Sequence, residues 1–183
     1  EGQHYILNKR ICGCGATEAY LRSGRKVILA SPRKHLLYNK YSQHLSDNLH
    51  LYRYQGDKKR YFESRLISPT DTLAFNENLT GYIRSGGNKI LTTYDSLRKI
   101  MEVLISSGED ISEWVVVIDE FQAIFYDCQY KATTEYELCQ VLRKFSTVIY
   151  LSATPYLDSY LDMTEQFRNM TCLLYTSPSP RDA

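Results

Sequence analysis

Two adjacent carboxylates, Asp119 and Glu120, follow the run Val115-Val116-Val117-Ile118 and precede Phe121-Gln122. Such a pair suits a magnesium ion and the water that the ion helps to activate, because carboxylate oxygens are hard ligands and a second carboxylate can take a proton. A strand that merely ends in a solvated Asp-Glu turn would carry the same residues. A second group, Gly13-Cys14-Gly15-Ala16-Thr17-Glu18, has the pattern of a Gly-rich turn whose backbone N–H groups converge on phosphate oxygens. In that pattern the Thr17 hydroxyl stands where a magnesium ligand belongs. Three further polar segments, Ser31-Pro32-Arg33, Thr92-Thr93-Tyr94-Asp95-Ser96 and Ser152-Ala153-Thr154, are weak signals one by one.

These groups need elements to hold them, and the hydrophobic pattern supplies strands that end where each group begins. His4 to Asn8, Val27 to Ala30, Leu49 to Tyr54, Lys89 to Thr93, Trp114 to Ile118 and Thr147 to Leu151 read as strands, most of them continuous apolar runs of the fully buried kind. Helices are expected over Thr17 to Arg22, Lys34 to Leu45, Tyr61 to Ile67, Ala74 to Arg84, Ser96 to Ile105 and Thr134 to Lys144. Strands alternating with helices imply an α/β fold, a three-layer sandwich with a mostly parallel sheet. In open sheets of this kind ligands sit outside the carboxyl ends of the strands.

The composition narrows the function classes. Of 183 residues, 43% are hydrophobic and 23% charged, the usual balance for a chain that folds around a buried core. No apolar run reaches the roughly 18 to 20 residues needed to span a bilayer, so no membrane partner is expected. Cys12, Cys14, Cys128, Cys139 and Cys172 include no C-x-x-C pair, which argues against zinc and fits a reduced, cytoplasmic setting. Net charge is +1, yet residues 1–65 hold 13 Lys+Arg against 5 Asp+Glu, and residues 66–183 hold 9 against 16. A basic front half suits a polyanionic partner, although charges that interleave on folding would give the same count. The 16 tyrosines serve either for stacking on bases or for packing at element margins.

Taken in order, the polar segments resemble the motifs of the first RecA-like domain of superfamily 2 helicases and translocases, a P-loop NTPase domain, over about Ile6 to Pro155. Gly13-Cys14-Gly15-Ala16-Thr17 matches motif I, Ser31-Pro32-Arg33 motif Ia, and Thr92 to Ser96 motif Ib or its neighbour. Asp119-Glu120-Phe121-Gln122 matches motif II, and Ser152-Ala153-Thr154 motif III. The resemblance implies ATP and Mg²⁺ as cofactors, with Gly13, Cys14, Gly15, Ala16, Thr17 and Glu18 around the phosphates. Asp119 would hold magnesium through water, and Glu120 would orient or deprotonate the attacking water. Gln122 would couple to Ser152 and Thr154. Arg33 and Thr93 would touch the phosphates of single- or double-stranded nucleic acid.

At one position the chain departs from this pattern: where the family carries lysine, residue 16 is alanine. That lysine is a point charge for the β- and γ-phosphates. Its loss predicts impaired hydrolysis with weakened nucleotide binding. Three accounts of Ala16 stay open: a genuine loss, an alteration in the recorded sequence, or compensation by Lys9 or Arg10. The resemblance also implies a second RecA-like domain as partner, bearing an arginine finger. Residues after Pro155 are too few to form one, so the chain alone is expected to turn over poorly. Residues 1–170 are expected to form the domain. Residues 171–183 lose periodicity, contain two Ser-Pro steps, and resemble translated adapter sequence, an expected non-native or disordered tail. The chain begins without Met and reads as a fragment. A non-catalytic module that binds nucleotide or nucleic acid is the alternative. A kinase fits less well, because Ser152-Ala153-Thr154 follows an Asp-Glu-x-Gln segment.

Overall fold

Alternation within single strands already shows why the sheet must be covered on both sides. In the strand Trp114–Asp119, Val115 and Val117 belong to one buried cluster while Trp114, Val116 and Ile118 belong to another. The strand Lys26–Ser31 divides in the same way, with Val27 and Leu29 opposite Ile28 and Ala30. Each apolar face needs its own layer of helices.

The computed structural model describes residues 3–8, 15–44, 48–63, 67–126, 136–152 and 171–174. Its strands are β1 Gln3–Asn8, β2 Lys26–Ser31, β3 His50–Leu51, β4 Lys89–Thr93, β5 Trp114–Asp119, β6 Thr147–Ser152 and β7 Thr171–Leu174. They form one seven-stranded sheet in the order β3-β4-β2-β5-β6-β1-β7, and every described pairing is parallel. The helices are α1 Ala16–Arg22, α2 Lys34–Gln43, α3 Lys58–Phe62, α4 Pro69–Arg84, α5 Leu97–Ser106, α6 Gln122–Tyr126 and α7 over 136–142. The three-layer α/β architecture expected from the strand pattern is the one observed. One face carries Phe75, Leu79 and Ile83 of α4, Ile100 and Leu104 of α5, and Leu138, Val141 and Leu142 of α7. The other carries Leu21 of α1, Leu37 of α2 and Tyr61 of α3.

Local signals explain where several helices begin. Ser68 caps α4 by accepting the Asp71 N–H at 3.0 Å, and Pro69 follows at the first helical position, where its missing N–H costs nothing. That start lies five residues before the expected Ala74, because the cap and proline outrank the polar character of the segment. Asp57 similarly caps α3 through the N–H groups of Lys59 and Arg60, so this helix precedes the expected Tyr61 start. The third strand is shorter than Leu49 to Tyr54: after Leu51 the chain turns, with Arg53 at φ 70°. No hydrophobic pattern marks the short helix α6. At β7, Thr171–Leu174 pair with Tyr5 to Asn8 of β1, while 175–183 lie outside the described residues.

His50, on β3, lies over the Tyr82 ring at 5.0 Å, and burial lowers its pKa from 6.5 to about 4. Because the folded value is depressed, the neutral ring stabilises the fold fully above about pH 6.5, and that contribution falls as pH drops toward about 4. Each tenfold change in proton affinity between the folded and unfolded chain is worth about 1.4 kcal/mol. Acidification from about pH 7.5 to about pH 5 should therefore cost roughly 2 kcal/mol through this residue. Urea unfolding of the native chain and of His50→Gln at the two pH values checks this. The native chain should lose about 2 kcal/mol more than the variant.

Candidate functional site

The carboxyl ends of β1, β5 and β6 converge because β6 lies between the other two. Asn8 pairs with Ser152, and Leu151 pairs with Asp119. The helix that follows β1 can therefore face the end of β5 across β6. Its Thr17 hydroxyl donates to Asp119 Oδ2 at 3.4 Å, a contact between residues 102 apart in sequence. At that length the bond itself is weak; the scaffold holds the two oxygens together.

Backbone geometry sharpens the carboxylate end. Glu120 adopts a left-handed φ of 56°, a conformation that costs a non-glycine residue roughly 1–2 kcal/mol. Its N–H donates to Asp119 Oδ1 at 3.1 Å. The next residue, Phe121, is fully buried, its N–H donates to the Leu151 carbonyl at 3.2 Å, and its ring meets Tyr150 edge-on at 5.6 Å. A buried ring anchored on β6 thus fixes the strained turn, and strain of this kind concentrates at functional sites.

Tyr94 closes the arrangement from the other side. Its hydroxyl donates to the Asp119 carbonyl at 2.6 Å. Burial, then the charges of Asp119 and Glu120, push its pKa up, so the phenol stays a protonated donor. The sequence drew attention to this segment but not to Tyr94 itself. An aromatic hydroxyl directly after a buried strand was the available signal.

The other candidate residues divide between the same edge and elsewhere. Gly15 caps α1 in the left-handed conformation, φ 82°, which glycine adopts without strain. Ala16, the first residue of that helix, is buried and brings no charge. Glu18 points into a different network, with His44 at 2.8 Å, Arg22 at 2.7 Å and Lys40 at 3.7 Å. Burial pushes its carboxyl up, but the His44 and Arg22 hydrogen bonds and nearby positive charge bring it below the usual range. Ser152 is fully buried at the end of β6. Gln122 opens α6, and its Oε1 is buried without a hydrogen-bond partner among the described residues, as is Ser31 Oγ. Thr93 pairs laterally with Ser31 and its hydroxyl contacts Ser96 Oγ at 3.3 Å. Exposed Arg33 precedes α2 just beyond Ser31. Gly13, Cys14 and Thr154, with Lys9 and Arg10, lie outside the described residues.

The donors present suit a hard cation: a hydroxyl and a carboxylate brought to one spot, with a second carboxylate beside them. Among the described residues no group of three or more His, Cys, Asp or Glu forms a metal-binding cluster. A cation here would thus depend on few protein oxygens, as magnesium does when phosphates and water complete its shell.

No family model matches the chain, and no curated protein matches its sequence. Among solved structures, the Hef helicase domain of Pyrococcus furiosus superimposes with a TM-score of 0.50 at 16% identity, covering 100% of this chain and 36% of that one. At that identity the likeness is one of fold alone. No helix among the described residues is long and apolar enough to cross a membrane.

Proposed function

We propose that the chain is the ATP-binding, first RecA-like domain of a nucleic acid helicase or translocase, with hydrolysis impaired by Ala16. The observation that carries this reading is the approach of Thr17 to Asp119 at 3.4 Å, which unites a Gly-capped helix start with an acidic strand end. The helicase-like fold supports it. Bound Mg²⁺ would neutralise phosphate charge and polarise the scissile phosphoryl group. Thr17 and Asp119 would hold it, Asp119 through water. Glu120, fixed by its turn, would orient a water molecule and accept its proton. Gln122 would couple to Ser152 and Thr154, linking the site to strand movement. Arg33 and Thr93, on neighbouring strand ends, would meet nucleic acid phosphates, and a second RecA-like domain would close the site.

The test is the magnesium dependence of nucleotide binding, read with a fluorescent ATP analogue. The native chain should bind more tightly with Mg²⁺ than without. Asp119→Asn and Thr17→Val should each remove most of that gain, about tenfold for a lost contact near 1.4 kcal/mol. Magnesium-independent binding, or none at all, would overturn the reading.

A further inference from the structure

The positive charge of the front half gathers where an unusual number of rings also gathers. Residues 33–63 contain seven Lys+Arg against three Asp+Glu. On α2, exposed His35 stacks on half-buried Phe62 of α3 at 4.1 Å and 11°. Phe62 meets Tyr38 edge-on at 5.5 Å. Beneath them Tyr61 is buried and stands perpendicular to Tyr54 at 5.9 Å. The lower rings are therefore held by packing on the sheet, while the upper ones remain open to solvent.

Cations flank these rings. Lys58 Nζ lies 5.0 Å over Tyr38 and Lys34 Nζ lies 5.6 Å over Tyr61. Lys34 donates to the Tyr61 and Glu63 carbonyls, not to a carboxylate. Among the described residues neither Lys58 nor Lys59 has an ion-pair partner, whereas Arg60 is committed to Asp71 at 2.7 Å. Arg53, in a left-handed conformation, stands close enough that its charge adds to burial in lowering the Lys34 pKa. Positive charge is thus concentrated here beyond what local carboxylates neutralise.

We infer that this surface of α2 and α3 binds single-stranded nucleic acid, with unpaired bases stacking on the His35, Phe62 and Tyr38 rings while Lys58 and Lys59 meet the phosphates. The inference rests on the motor-domain reading above and adds to it a site away from the carboxylate edge. Flat rings interleaved with cations fit a single strand better than a duplex, which hides its base faces, and better than an acidic peptide, which offers nothing to stack. Arg33, two residues before His35, places the surface beside the strand ends of the nucleotide site.

The experiment measures binding of a fluorescein-labelled oligodeoxythymidine, and of a strand carrying 2-aminopurine, to the full chain without nucleotide or Mg²⁺. Asp119→Asn should leave this binding unchanged, so failure of the nucleotide reading and failure of this one remain distinguishable. His35→Ala, at an exposed position, and the milder Phe62→Leu should each weaken binding roughly 5- to 100-fold and reduce 2-aminopurine quenching, at unchanged salt dependence. Lys58→Gln and Lys59→Gln should each lower the slope of log affinity against log salt by about 0.7. Circular dichroism and melting confirm that each variant is folded. Native affinity and quenching in a folded ring variant, or equal competition by duplex or polyglutamate, would overturn the proposal, as would no binding by the native chain.

Discussion

Ala16→Lys is expected to raise ATP turnover by about 10²–10³-fold when measured in a longer chain that also carries a second RecA-like domain. The residue is the first of α1, immediately after the left-handed Gly15. An ammonium about 4 Å from a phosphate oxygen gains about 4 kcal/mol of Coulomb energy at an effective dielectric near 20, before desolvation. That attraction grows as charge shifts in the transition state, which is why the gain belongs in rate as well as affinity. Ala16 is only 3% exposed, so the new stem must thread past its neighbours to reach the phosphates. The paired variants Lys9→Ala and Arg10→Ala separate the accounts of this position. If a neighbouring cation substitutes for the missing lysine, Ala16→Lys gives no gain and one of the paired variants loses activity. Equal rates throughout would overturn the proposal that Ala16 impairs hydrolysis.

Phe121→Ala is expected to destabilise the domain by about 3–5 kcal/mol, measured by urea unfolding. The ring is fully buried between the sheet and its helical layer and packs edge-on against Tyr150. Against a typical domain stability of about 5–15 kcal/mol, such a loss leaves little margin. A second effect should appear in the surviving folded population. Glu120 holds its left-handed conformation because Phe121 is pinned on one side and the Asp119 carbonyl is tied to Tyr94 on the other. Without the ring, the turn can relax toward an unstrained backbone, and magnesium-dependent nucleotide binding should weaken beyond what unfolding alone explains. Phe121→Leu, which keeps most of the buried volume, should lose far less of both.

Much of this architecture could be read from residues, and the reasons differ by element. The inner strands were legible because β2, β5 and β6 are buried on both faces and so appear as unbroken apolar runs. The edge strand β3 was overestimated because apolar residues continue past Leu51 into a turn whose φ at Arg53 no pattern announces. The start of α4 was hidden because Thr70, Asp71 and Thr72 look like loop residues unless Ser68 and Pro69 are weighed as a cap. At the site, Asp119 and Thr17 stood out by residue type and only the resemblance implied that they share one spot; the structure brings their oxygens to 3.4 Å. Tyr94 did not, since its role depends on a hydrogen bond to a backbone carbonyl 25 residues away. Nor did the Glu18 network, because the first turn of a helix that starts at the strand-end edge can still point a side chain at a neighbouring helix.

The sheet order sets a schedule for folding during synthesis. Among the described strands β1 leaves the ribosome before the others, yet its pairing partners are β6 and β7, which follow all of them. At about 5–20 residues per second, β1 waits on the order of ten seconds or more with its backbone edge unsatisfied. Meanwhile β2, β3, β4 and β5 can already assemble among themselves. A nascent chain stalled before residue 147 would carry a nearly complete half-sheet and a loose apolar strand, the combination that recruits chaperones or pairs with another copy. The Thr17–Asp119 contact, which needs α1 seated against the end of β5, would then form only once β6 has arrived between them.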